Sequence, residues 1–288
     1  MKLAAALLLA LLGCAPAAAA DAADTQPVRV VRDITYLAGA NDAANKDKLD
    51  LYLPEGRTDV PVIVSLHGGA LMTGDKGQQT FIGERFASAG IAIAVINYRL
   101  SPGVAHPAHI QDAAAAFAWV KRHIAEYGGN PDQVFVIGHS AGAYLAALLA
   151  LDDRYLAAHK LSTLDIRGVV PVSAFYWVER PGVAPDRDKS VWGTDQKVWV
   201  DASPAHHLRS SAPPVLILYA DGDDEWRRQQ NVEMARALKT AGNAHVEIAL
   251  IAGRTHDTIW SHMAADGDEA ADRIIQFVHA TAVARVSQ

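Results

Sequence analysis

VFVIGHSAGAYLAALLA, residues 134–150, opens as a buried strand and closes as a helix of small residues, with one serine, Ser140, between Gly138 and Gly142. An apolar β-branched and aromatic run of this length suits a strand covered on both faces, and the alanine-rich continuation suits a helix packed on it. A hydroxyl at the junction of two buried elements needs a reason. In a mostly parallel sheet, ligands sit beyond the carboxyl ends of the strands, which is where Ser140 falls. GHSAG fits G-x-S-x-G, the tight strand-to-helix turn that lifts a serine hydroxyl clear of the backbone. The motif alone arises by chance, and its placement between a strand and a helix is what gives it weight. The glycines are expected both to relieve crowding and to tolerate unusual dihedrals.

Working outward, VPVIVSL (60–66), IAIAVI (91–96), RGVVPVSA (167–174), PVLILYA (214–220) and HVEIALIAG (245–253) read as further strands. Between them lie helical patterns near 81–90, 110–127, 227–241 and 267–284. This alternation predicts an α/β fold with a mostly parallel sheet and helices on both faces. VRVVRDITYL (28–37) and KLDLYLP (48–54) precede it, the second in strict alternation, which predicts a half-exposed antiparallel pair. Residues 175–208 form an irregular, cap-like insertion. No repeat or linker divides the chain, so residues 21–288 read as a single domain.

The chain has 288 residues, half of them apolar and a fifth charged, and a net charge of -6. These values suit a globular protein with a large core and carry no signal for a nucleic-acid partner. MKLAAALLLALLGCAPAAAA, residues 1–20, has the basic start, short apolar run and small-residue end of an export signal, too short for a transmembrane span. LLGC is similar to a bacterial lipobox, which would make Cys14 a lipid-anchored first residue. Cleavage after Ala20 is the alternative, leaving a secreted or periplasmic protein. Cys14 is the only cysteine, so no disulfide is expected.

A nucleophilic serine needs a base and an acid to orient the base. His256 follows the strand 245–253 at the same sheet edge as Ser140. His206 and His207 lie in the irregular stretch, and His262 and His279 in or near helices, where packed or solvated roles are ordinary. The acid is open among Asp221, Asp223 and Asp224. HGGA (67–70) ends its strand with glycines that let amides face a bound carbonyl, so Gly69 and Ala70, with Ala141, are the candidate oxyanion donors. His67 reads as shaping its loop by hydrogen bonding, and His139 as structural. No HExxH or CxxC occurs, and no metal or other cofactor is implied.

Together, LDLYLP, HGGALMTGDK, NYRLSP, QDAAAAFAWV, GGNPDQVFVIGHSAGAYLAALLA, ADGDDEW and GRTHDTI span about residues 49 to 258. This set resembles the α/β-hydrolase esterases of the hormone-sensitive-lipase-like and feruloyl-esterase/kynurenine-formamidase-like (BD-FAE-type) groups. The resemblance implies an α/β-hydrolase fold and makes the second acidic residue of the DGDD loop, Asp223, the triad acid. It also implies a structural pair of Arg99 and Asp112. Tyr219-Ala220 and Glu225-Trp226 depart from the family's usual residues, so the pocket wall near Asp223 does not transfer. The implied activity is a serine carboxylesterase acting on a small-molecule ester. Alternatives are a formamidase-type amide hydrolase, a carbohydrate acetyl or feruloyl esterase, and a non-catalytic binding protein of the same fold. Trp177, Trp192, Trp199, Trp226 and Trp260 fall near the expected site, predicting an aromatic-walled pocket for short-acyl or aromatic esters.

Overall fold

The computed structural model describes residues 27–37, 45–180 and 185–283. The leader and Cys14 lie outside the described residues. Among those described, eight strands form one sheet in the order β1-β2-β4-β3-β5-β6-β7-β8. They are β1 (Val28–Thr35), β2 (Lys48–Pro54), β3 (Val60–Leu66), β4 (Ala92–Ile96), β5 (Gly129–His139), β6 (Val169–Val172), β7 (Val215–Gly222) and β8 (Val246–Thr255). β1 pairs antiparallel with β2 and β2 with β4, and all the other pairs are parallel. This is the α/β-hydrolase arrangement.

The continuous apolar runs serve two cores at once. On β5, Val134 and Val136 enter one apolar cluster while Phe135 and Ile137 enter the other. The first cluster is closed by α2 (Ala108–His123), α3 (Ala141–Leu151) and α7 (Glu225–Thr240), and the second by α1 (Thr80–Ser88) and α9 (Glu269–Val283). Each large side chain fully buried this way contributes about 1.5–3 kcal/mol.

β2 corrects the half-exposed reading, because every residue from Leu49 to Pro54 is buried. Its polar alternates are absorbed rather than solvated. Asp50 accepts hydrogen bonds from Lys76 Nζ at 2.6 Å and from the Asp33 amide at 2.8 Å. Tyr52 packs over Gly83 of α1, where a Cβ would stand 2.5 Å from the ring. Of this pair only β1, at the sheet edge, is half exposed.

The insertion between β6 and β7 is more ordered than expected. It carries α5 (Pro185–Trp192), α6 (Gln196–Asp201) and a 3-10 turn at Pro204–His206. The remaining helices, α4 (Asp153–Ala157) and α8 (Thr258–Ser261), are short. Arg99 and Asp112 tie the end of β4 to α2 through a two-pronged contact of 2.8 and 2.6 Å plus the Arg99 amide at 2.9 Å.

Candidate active site

The candidate residues stand just past the carboxyl ends of parallel strands. His67 to Ala70 follow β3, Ser140 follows β5, Ser173 follows β6, Asp223 follows β7, and His256 follows β8. A parallel sheet puts all these ends on one edge, which is how positions far apart in sequence meet.

Ser140 has φ 54° and ψ -113°, a left-handed conformation that costs a non-glycine residue about 1–3 kcal/mol. The flanking glycines do not share it. Their role is space alone: a Cβ on Gly138 would lie 2.3 Å from the Gly142 carbonyl, and one on Gly142 2.1 Å from the Leu66 carbonyl. The dihedral part of the expectation therefore belongs to the serine, and the crowding part to the glycines.

His256 Nε2 lies 2.9 Å from Ser140 Oγ, and His256 Nδ1 lies 2.6 Å from Asp223 Oδ1. A carboxylate only accepts, so Nδ1 carries the proton and Nε2 presents its lone pair to the serine hydroxyl. Asp223 is buried, which alone would raise its pKa. Hydrogen bonds from His256, Ser173 and the Ala220 amide outweigh that and hold its carboxyl below the usual range. Ser173 Oγ donates to Asp223 Oδ2 at 2.6 Å, and Arg227 reaches within 3.8 Å of Oδ1 while donating to the Ser173 carbonyl at 2.9 Å.

The other two carboxylates stand apart from His256. Asp221 accepts from the Gly253 and Arg254 amides at 2.9 and 3.0 Å, stapling the end of β7 to β8. Asp224 is exposed at the start of α7, where its carbonyl, not its side chain, receives the Arg227 and Arg228 amides, both at 3.0 Å.

In the loop after β3, Gly69, Ala70 and Leu71 all have positive φ, at 107°, 57° and 61°. This curl ties the Gly69 carbonyl to the Met72 and Thr73 amides at 3.0 and 2.9 Å. Gly69 and Ala70 line a cavity of about 560 Å³ together with Ser140 and His256. Ala141 opens α3, so its amide is among those that a helix N-terminus leaves without an intrahelical partner. His67 is buried, stacks on Tyr98 at 4.2 Å and contacts the Gly68 carbonyl, and burial lowers its pKa to about 4.

Of the five tryptophans, Trp260 lines this cavity. Trp192 instead is core, buried against Tyr144 and Phe175 with its indole N–H donated to the Tyr144 hydroxyl at 3.3 Å. Trp177 lies under the Arg180 guanidinium, Trp226 under that of Arg227, and Trp199 donates to the Gly193 carbonyl. The cavity wall is thus mainly glycine loop and polar side chain. It includes Thr73, Gln78, Gln79 and Asp257, which sequence reasoning did not single out. Ser173 and Arg227 were also missed, for they act through contacts no local motif encodes.

Of the set-aside histidines, His206 meets Glu179 at 2.8 Å, His207 the Asp201 carbonyl at 2.7 Å, and His262 Arg254 at 3.1 Å. Among the described residues no three His, Cys, Asp or Glu side chains gather as a metal site requires, and no helix is long and apolar enough to cross a membrane. A second cavity, of about 580 Å³ and lined by residues such as His106, Arg154 and Lys197, shares no residue with the first and includes no serine or cysteine.

Comparison with known proteins finds carboxylic ester hydrolases and esterases of the same fold. The family model described as BD-FAE matches residues 49–238. The Mycobacterium tuberculosis protein described as "Probable carboxylic ester hydrolase LipM" is 30% identical over 92% of this chain, and "Esterase LipQ" of the same organism is 30% identical over 81%. The chain spans 67% of the first relative's length and 60% of the second's. Among solved structures, the Thermogutta terrifontis esterase Est2 with propionate bound aligns over 89% of this chain and 93% of its own, with TM-score 0.68 and 25% identity. A truncated carbohydrate esterase from gut microbiota aligns over 90% and 98%, with TM-score 0.74, and at 22% identity it speaks to the fold alone.

Proposed function

Because the chain belongs to the BD-FAE family of α/β-hydrolase esterases, we propose that it hydrolyses small carboxylic esters with Ser140 as nucleophile, His256 as base and Asp223 as orienting acid. The single observation that carries this reading is the relay of 2.9 and 2.6 Å contacts from Ser140 through His256 to Asp223. Ser140 Oγ attacks the ester carbonyl as its proton passes to His256 Nε2. The proton then goes to the leaving alcohol, and water repeats the cycle on the acyl-serine. Amides of Gly69 or Ala70, with that of Ala141, receive the developing oxyanion, and the N-terminus of α3 adds its dipole.

Cavity size and lining support small substrates. About 560 Å³ bounded by glycine loop, Thr73, Gln78 and Trp260 suits a short acyl group and a polar or compact alcohol. A nitrophenyl ester series should therefore show kcat/KM highest for acyl chains of about two to six carbons, with acetylated sugars as a second arm. Efficient cleavage of emulsified long-chain triglycerides with interfacial activation would refute this, and preferential cleavage of N-formyl amides would favour a formamidase.

The leader supports export of the chain. Intact mass from a bacterial host should show a start at a lipidated Cys14 or near Asp21, and a mature chain that keeps residues 1–13 would refute export.

A further inference from the structure

We infer that His139 is a positioning residue that locks the base to the nucleophile through the His256 backbone carbonyl. The inference rests on the triad reading above. His139 precedes Ser140 in the elbow, and its Nε2 lies 2.7 Å from the carbonyl oxygen of His256. A carbonyl only accepts, so Nε2 carries the proton and His139 is the donor. The same ring sits 4.7 Å from the His256 ring and stacks on Trp260 at 5.5 Å and 19°. On its other side it abuts the oxyanion loop, where a Cβ on Gly68 would lie 3.1 Å from His139 Nδ1.

These contacts close a short circuit. It runs by covalent bond from Ser140 to His139, by hydrogen bond from His139 to the His256 main chain, and by the His256 ring back to Ser140 Oγ. Asp223 sets the tilt of the His256 ring through Nδ1, and His139 sets where the backbone that carries the ring stands. Without that donor, the His256 main chain would lose its tie to the elbow, leaving the Asp221 staple, the Thr255–Thr258 turn and the Asp223 contact to hold the base. Misplacement of a base by a fraction of an ångström is enough to lower turnover by one or two orders of magnitude. Burial keeps the His139 ring neutral, its pKa lowered to about 3. No second imidazolium therefore opposes the charge that His256 gains as it takes the serine proton.

Glutamine and methionine separate positioning from packing. Both reach about as far as His Nε2, and only glutamine supplies an N–H there. His139→Gln should keep kcat within about fivefold of the native enzyme, while His139→Met should lose on the order of thirtyfold or more in kcat with KM within about threefold. Fluorophosphonate labelling should slow in the Met variant in parallel with kcat, since it too needs the serine deprotonated by His256. Equal turnover by the two variants, fast or slow, would overturn the inference. If the Met variant does not fold, the Gln variant decides: kcat within about tenfold supports the bond, and any larger loss overturns it. Native enzyme that turns over esters without labelling at Ser140 would instead bring down the triad reading, a distinct outcome.

Discussion

Asp221, Asp223 and Asp224 sit within four residues of one another, and the structure gives each a different partner. Asp223 turns inward to His256 and Ser173, Asp221 turns across to the β8 amides, and the Asp224 carbonyl starts α7. Local sequence could not separate them, because all three stand at a strand end and the choice depends on what β6 and β8 bring to the loop. The family resemblance singled out Asp223, and the residues themselves left the question open. The two inward and crossing roles predict opposite substitution profiles. Asp223→Asn should cut kcat by about a thousandfold or more, since the amide no longer fixes the Nδ1–H tautomer of His256. Asp221→Asn should cost less than about tenfold, acting only through the stapled loop. Steady-state kinetics on a nitrophenyl acetate check both, and a milder Asp223→Asn than Asp221→Asn would contradict the assignment.

Elements were legible in proportion to how local their causes are. β3, β5 and β7 announced themselves because both faces are apolar, so composition alone marks them. β2 misled, because strict alternation signals one solvated face unless distant residues cover it. Lys76 and the residues around Gly83 do that here, from 26 and 31 residues along the chain. Ser140 stood out because G-x-S-x-G marks a turn whose geometry is set within five residues. His256 stood out because it follows the strand that must lie beside β7. The tryptophans did not sort themselves, because burial is decided by the cap helices α5 and α6, whose weak apolar pattern read as irregular. Trp192 fills the core beneath the cap while Trp260, on the short α8, reaches the cavity through its stack on His139.

At the scale of the whole molecule, acid should weaken the fold through its buried histidines. Burial lowers His67 and His109 to about 4 and His139 to about 3, whereas unfolded histidines titrate near ~6.5. His109 shows the bind: its Nε2 contacts Ser101 Oγ at 3.1 Å, and its Nδ1 is buried without a hydrogen-bond partner among the described residues. Between the two pKa ranges the unfolded chain binds protons that the folded chain refuses. Stability is therefore fully present above the unfolded value and is lost as pH falls toward the folded ones. Each site contributes roughly 1.4 kcal/mol per pH unit in that window. Urea unfolding at pH 7.5, 6 and 5 should show stability falling with an uptake of about two to three protons, and a flat profile to pH 5 would contradict this.

The whole arrangement, in which five strand ends converge on one hydroxyl, is tested most directly by covalent titration. A fluorophosphonate should add one equivalent to the native protein, abolish ester turnover in proportion, and map to the peptide that contains Ser140. Ser140→Ala should remain folded, take no label and lose several orders of magnitude in kcat. An adduct on another residue, or full turnover by Ser140→Ala, would contradict the account.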